Sequence, residues 1–164
     1  MKLIKFPDPI LKEQMPDFDF ENPLMDPKEL EKAMLEAMYE HNGIGLSANQ
    51  VGIRARVFVI GHKDSPEASR AFFNPIIVAS TDKVHDLEEG CLSFPGIYVK
   101  IKRPSAIKAR WQNSSGEWEE SEFEGYACKC FLHEFDHLEG ITYQDRVSPL
   151  KWSLSIKKAK RGKH

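Results

Sequence analysis

Leu30, Ala33, Met34, Ala37 and Met38 recur three and four positions apart, which gathers them on one stripe of a helix. The spacing predicts that helix over Pro27 to His41. Asp26 is placed to cap it, Pro27 suits a first position whose N–H has no partner to lose, and Glu29 completes a box-like start. Gly43 and Gly45 end it and open a loop, GIGLSANQVG. Short β-branched and aromatic runs follow at Arg56 to Ile60, Phe72 to Ala79, Tyr98 to Lys102 and Ala106 to Trp111. Pro75 marks an edge strand or a bend, because proline brings no N–H to a ladder, and Pro104 separates the last two runs. Asn113-Ser114-Ser115-Gly116 is a turn signal, so Trp118 to Phe123 reads as a hairpin partner. A second helix is predicted from Tyr126 to Leu138, stopping at Gly140. After Ser148-Pro149 a short third helix is predicted to dissolve into the basic end KKAKRGKH. Helix, many strands, then a helix among them describe an α+β fold rather than a wound βαβ sheet.

Composition narrows the class. With 41% hydrophobic residues in 164, the chain can bury a core without disulfides, and disorder or a fibrous repeat is excluded. No apolar run approaches about 18 residues, so no membrane span is expected. A net charge of −2 argues against electrostatic binding of DNA by the whole molecule. Three cysteines, an odd number, fit a reducing compartment with a thiol kept for something other than a bridge. The start, MKLIKFPDPILKEQ, carries no secretory or transit pattern, so the expected address is cytoplasmic. No repeat or long linker interrupts the chain, and a monomer is the default expectation.

Chemistry concentrates in His133-Glu134-Phe135-Asp136-His137. Residues four apart on a helix share a face, so the two imidazoles can hold one metal while Glu134 is swung aside to address water. Apolar Phe131, Leu132, Phe135 and Leu138 around them argue against a solvated helix that merely carries histidines. A catalytic site ordinarily has three protein ligands. The long metalloprotease pattern would put histidine at 143, where Tyr143 stands, and no glutamate follows Glu139, so the third ligand comes from upstream. Cys130 is seven residues from His137, roughly 10 Å along the axis, too far for a thiol, and Cys128 with Cys130 reads as core. Cys91, in the Gly- and Pro-bounded stretch EEGCLSFPG, is a candidate third ligand, with His41, His62 and His85 as alternatives. Asp136 reads as structural, with Arg103 as its expected partner.

Three segments in order, GIGLSANQ (43–50), EGCLS (89–93) and HEFDH (133–137), resemble the motifs of the peptide deformylase family. The resemblance covers residues 1–147, a catalytic domain, and leaves 148–164 as a short C-terminal helix and basic tail. It implies antiparallel β-sheets around a central helix that carries the histidines. It also implies Cys91, His133 and His137 as ligands of one divalent ion, Fe²⁺ natively, with Zn²⁺, Ni²⁺ or Co²⁺ as substitutes. A thiolate ligand suits those ions and disfavours Mg²⁺ and Ca²⁺. Glu134 becomes the general base and acid, Gln50 and the Leu92 backbone N–H the oxyanion donors, and Ile44 and Gly45 substrate-contacting positions. The implied reaction removes formate from N-formylmethionyl peptides by attack of metal-activated water on the formyl carbon.

Two departures stand out. Ser47 occupies the place of an alanine, a small-for-small change expected to leave the loop intact, and Leu132 stands where glutamine commonly precedes the His-Glu pair. Two other readings compete. A zinc endopeptidase would need a third His or Glu that the sequence lacks, and a closed structural metal site, for instance with Cys130 as fourth ligand, would have no use for Glu134. Lys151 to His164 holds six Lys/Arg residues, a solvated frayed end or, as the resemblance implies, a weak contact to the ribosome.

Overall fold

The computed structural model describes residues 1–162. Helix α1 (Pro27–Glu40) begins as its sequence requires, the Asp26 carboxylate accepting from the Glu29 N–H. Seven strands follow: β1 (Gly45–Ser47), β2 (Val57–Ile60), β3 (Arg70–Ser80), β4 (Val84–Cys91), β5 (Phe94–Pro104), β6 (Ala106–Gln112) and β7 (Trp118–Glu124). Helix α2 (Gly125–Leu138) carries the His-Glu motif, and α3 (Pro149–Arg161) closes the described chain. One sheet has the order β1-β2-β3-β6-β7, every neighbour antiparallel; β4 and β5 form a separate two-stranded ribbon.

The run Val57-Phe58-Val59 is apolar throughout because the sheet is covered on both faces. Val57, Val59 and Phe73 pack with Leu30, Met34 and Met38 of α1. Phe58 and Phe72 point the other way, against Trp111 and α2's Phe131. Ten of the fourteen residues of α2 are buried, so this helix is enclosed rather than laid on a surface. A third cluster, Phe94, Val99, Ile101, Tyr143 and Trp152, fastens α3 onto the ribbon.

Four local features take their form from the tertiary structure. Pro75 marks a bend at a local edge: it lies past Phe73, the last β3 residue paired with β2, the β3–β6 register slips between Phe73 and Ile76, and Asn74 adopts a left-handed φ of 49°. The Asn74 amide stabilises that bulge by donating to the Phe18 carbonyl and accepting from its N–H. Val84 to Cys91, rich in acidic residues, is a strand that no propensity announces; its ladder with β5 supplies the stabilisation. The loop after α1 contains a three-residue strand, β1, on the edge of the main sheet. The third helix does not dissolve at Lys157 but continues to Arg161. Its start is capped by Ser148, Trp152 is buried against Phe94 and Tyr143, and Lys158, Lys160 and Arg161 complement the C-terminal end of the helix dipole. Lys163 and His164 of the basic tail lie outside the described residues.

Candidate metal centre and active site

His133 and His137 project from one face of α2 with ring centroids 5.0 Å apart. The two-residue turn Leu92-Ser93 between β4 and β5 carries Cys91 to the same point, its Sγ 3.4 Å from His137 Nε2. Ligand atoms of Cys91, His133 and His137 lie within 4.8 Å of one another. A tetrahedral ion bonded to sulfur at about 2.3 Å and to imidazole at about 2.05 Å separates those atoms by about 3.6 Å, so the trio fits such an ion. Among the described residues, His41, His62 and His85 do not join this group. Neither do Cys128 and Cys130, whose thiols burial pushes up to about 11 and about 12.

Glu89, two residues before Cys91, carries no sequence signal of its own and yet organises the centre. Its carboxylate binds His133 Nδ1 at 2.8 Å and takes a two-pronged contact from Arg103 at 2.6 and 3.0 Å. The Nδ1 contact frees His133 Nε2 for a metal. Arg103 also donates to Asp136 at 2.8 Å, the partner expected from sequence, and Arg146 adds two bonds to the same carboxylate. Burial alone would raise the Glu89 pKa, but the His133 ring and the Arg103 guanidinium outweigh it and hold it at about 2. Burial disfavours charge on His133 as well, yet its bonds to Cys91 and Glu89 hold its pKa well above the ordinary value. His137 shifts the other way: burial, the His133 ring and Arg103 hold its pKa well below the ordinary value, which keeps that imidazole in the neutral form that ligates a metal.

Glu134 stands beside the ligands and makes none of these contacts. Its Oε1 is buried without a hydrogen-bond partner. Burial raises its pKa to about 7, with nearby His133 pulling it partly back. It borders a cavity of about 460 Å³ whose walls include Ile44, Gly45, Gln50, Leu92, Tyr98 and Tyr126. Gly45 is glycine for a visible reason: a Cβ there would sit 2.5 Å from Glu134 Oε2. Gly45→Ala is therefore expected to displace the carboxylate and lower kcat at least tenfold with little change in melting temperature. A variant with wild-type kcat would show that the carboxylate has room to move.

Gln50 is buried with its amide held at both ends. Oε1 accepts from the Ser47 N–H at 2.9 Å, while Nε2 lies 3.0 Å from Ser93 Oγ and 3.5 Å from Cys91 Sγ. Among the described residues, the Leu92 N–H donates to no other backbone carbonyl. Ser47 is more than a small residue in place of another, since its hydroxyl lies 2.6 Å from Asn49 Oδ1 and 3.0 Å from Gln50 Oε1. Leu132 faces the core cluster and makes no polar contact with the site. Ser93 and Arg146 also went unassigned from sequence; EGCLS contains the serine, but only the hairpin turn brings it to Gln50.

The family model described as polypeptide deformylase matches residues 1–153. The chain belongs to the peptide deformylase family. A peptide deformylase of Thermotoga sp. strain RQ2 is 44% identical over 154 residues, covering 93% of this chain and 90% of the relative. One from Novosphingobium aromaticivorans is 38% identical, covering 96% and 94%. Among solved structures, the Thermotoga maritima peptide deformylase aligns with a TM-score of 0.83 at 40% identity, covering 90% of this chain and 97% of that one. The Plasmodium falciparum peptide deformylase aligns with a TM-score of 0.89 at 35% identity, covering 98% and 94%. The α+β fold and the enzyme class implied by the three motifs are both borne out. The peptide deformylase fold thus brings Cys91, His133 and His137 together, with Gln50, Gly45 and Glu134 on the adjoining wall.

Proposed function

We propose that the chain hydrolyses the terminal formamide of N-formylmethionyl peptides, releasing formate, with Glu134 moving the proton. One observation carries this reading: a buried carboxylate oxygen without a partner, beside the Cys-His-His trio and open to a cavity. Cys91, His133 and His137 would hold one divalent ion, Fe²⁺ natively, with Zn²⁺, Ni²⁺ or Co²⁺ as substitutes. Such an ion lowers the pKa of water towards neutrality and acts as a Lewis acid on a carbonyl.

Glu134 removes the proton of the attacking water and returns it to the departing amine, one carboxyl serving as base and then acid. Burial lifts its pKa to about 7, which makes it a stronger base than an exposed glutamate and better able to hold the proton it takes. Gln50 Nε2 and the Leu92 N–H donate to the oxygen on which negative charge develops, each contributing about 3 kcal/mol where geometry is right. Ile44, Tyr98 and Tyr126 provide apolar contact for the methionine side chain, with the Gly45 backbone alongside.

The remaining readings are our inferences as well. Residues 1–147 form the catalytic unit and 148–164 a C-terminal segment, whose helix α3 clasps that unit through buried Trp152. No described helix is long and apolar enough to cross a membrane. We infer a cytoplasmic monomer that makes no specific contact with DNA. The basic face of α3 with the tail makes a weak ribosome contact, which a tail truncation that leaves ribosome co-sedimentation unchanged would refute.

Formate release from a short formyl-methionyl peptide is the direct test, using anaerobic protein loaded with Fe²⁺ or Ni²⁺. Activity should vanish with a chelator and return with Ni²⁺. Cleavage of an unformylated peptide without formate release would instead establish an endopeptidase.

A further inference from the structure

Behind the metal ligands runs a directed chain of buried hydrogen bonds. Ser93 Oγ lies 2.7 Å from the Ile4 carbonyl and has one proton, so it donates there and accepts from Gln50 Nε2. That occupies one Gln50 N–H and leaves the other towards Cys91 Sγ and the adjoining cavity. At the other end of the amide, the single Ser47 hydroxyl proton is shared in a three-centre bond between Asn49 Oδ1 at 2.6 Å, the shorter arm, and Gln50 Oε1 at 3.0 Å. The Asn49 amide is thereby turned so that Nδ2 donates to the carbonyl of His137 at 2.9 Å. Ser47, Asn49 and Ser93 are fully buried and Gln50 is 1% exposed, so water does not compete for these bonds.

We propose that the Ser47 hydroxyl is a positioning group for the reaction: by bridging the Asn49 and Gln50 amides it keeps the free Gln50 N–H on the ligand sulfur and the reacting oxygen. The inference rests on the oxyanion role proposed for Gln50. It assigns a task to the side chain that the motif comparison treats as interchangeable with alanine. Alanine would leave the Ser47 N–H bond to Gln50 Oε1 in place, so the loop would still close. It would strand Asn49 Oδ1 in the interior and leave Gln50 Oε1 with the Ser47 N–H as its one remaining donor, which loosens the amide without releasing it. The change is one of precision at the site rather than of folding.

A double-mutant cycle with Gln50 tests this. Ser47→Ala should lower kcat about fivefold to tenfold, the factor one net hydrogen bond corresponds to, with KM changed less than about twofold. In the Co²⁺-loaded protein the sulfur-to-cobalt charge-transfer band should move to longer wavelength, because a loosened N–H withdraws less density from the thiolate. Gln50→Ala should lower kcat by about a hundredfold. Adding Ser47→Ala to Gln50→Ala should lower it no further. Ser47→Ala that reduces melting temperature but leaves kcat and the cobalt band unchanged would overturn the proposal. So would independent, multiplying losses in the double variant. Gln50→Ala with wild-type kcat would instead remove the oxyanion role of Gln50, and the Ser47 proposal with it.

Discussion

Glu134→Ala is expected to lower kcat for formate release by about 10²- to 10⁴-fold while the melting temperature stays level or rises. Its carboxylate costs stability as it stands: it is buried, and Oε1 has no partner. Removing it relieves that cost, and the space left joins a cavity that is already present, so little packing is lost. Glu134 is absent from the ligand trio, so the variant should retain one equivalent of metal. Formate assay, thermal melt and metal content together decide the matter. A large drop in melting temperature, or loss of the metal, would make Glu134 structural or a ligand rather than the proton carrier.

Glu89→Ala should be the most damaging change to stability near the site. It strips the Arg103 guanidinium of a two-pronged anion and His133 Nδ1 of its acceptor, both inside the protein. Breaking a buried pair in this way costs about 3–5 kcal/mol, a fall of about 6–20 °C for a chain of this size. Metal affinity should weaken about 10- to 100-fold because nothing then holds the ring of His133. The same carboxylate predicts an acid limit. Its folded pKa of about 2 lies below the ordinary 4.5, so its contribution is fully present above 4.5 and is lost as pH falls towards 2. That contribution is roughly 3 kcal/mol, and Glu89→Gln should therefore approach wild type in stability as pH drops through this window. A constant gap between the two melting curves from pH 6 to pH 2 would refute the assignment.

The helices were legible because their signals are local. Asp26 and Pro27 start α1, Gly140 follows α2, and periodic apolar residues fill the stripe between. The strand β4 was not legible, since Asp86, Glu88 and Glu89 have low strand propensity and the pairing that holds them lies with Val99 to Lys102. Glu89 was missed for the same reason: its value lies in facing Arg103 and His133, which only the hairpin and α2 packing create. Asp136 with Arg103 was found because a carboxylate on an enclosed helix demands a cation; Arg146, the second partner, ends a short 3₁₀ turn (Tyr143–Arg146) after α2, where no periodic pattern marks it.

By itself the sequence determined the pair of imidazoles four residues apart, the glutamate between them and the exclusion of a third ligand from downstream. These follow from helix geometry, which depends on nothing beyond the segment. Spacing left Cys91 as one candidate among several. Only the tertiary structure brings its sulfur to 3.4 Å from His137, because a two-residue turn at the end of β4 delivers it there. Tertiary packing also decided that Glu134 is buried with an unpartnered oxygen, that Gly45 must lack a side chain and that Ser47 reaches two amides. Distances between segments 40 to 90 residues apart arise from how sheets and helices pack, and no local pattern encodes them.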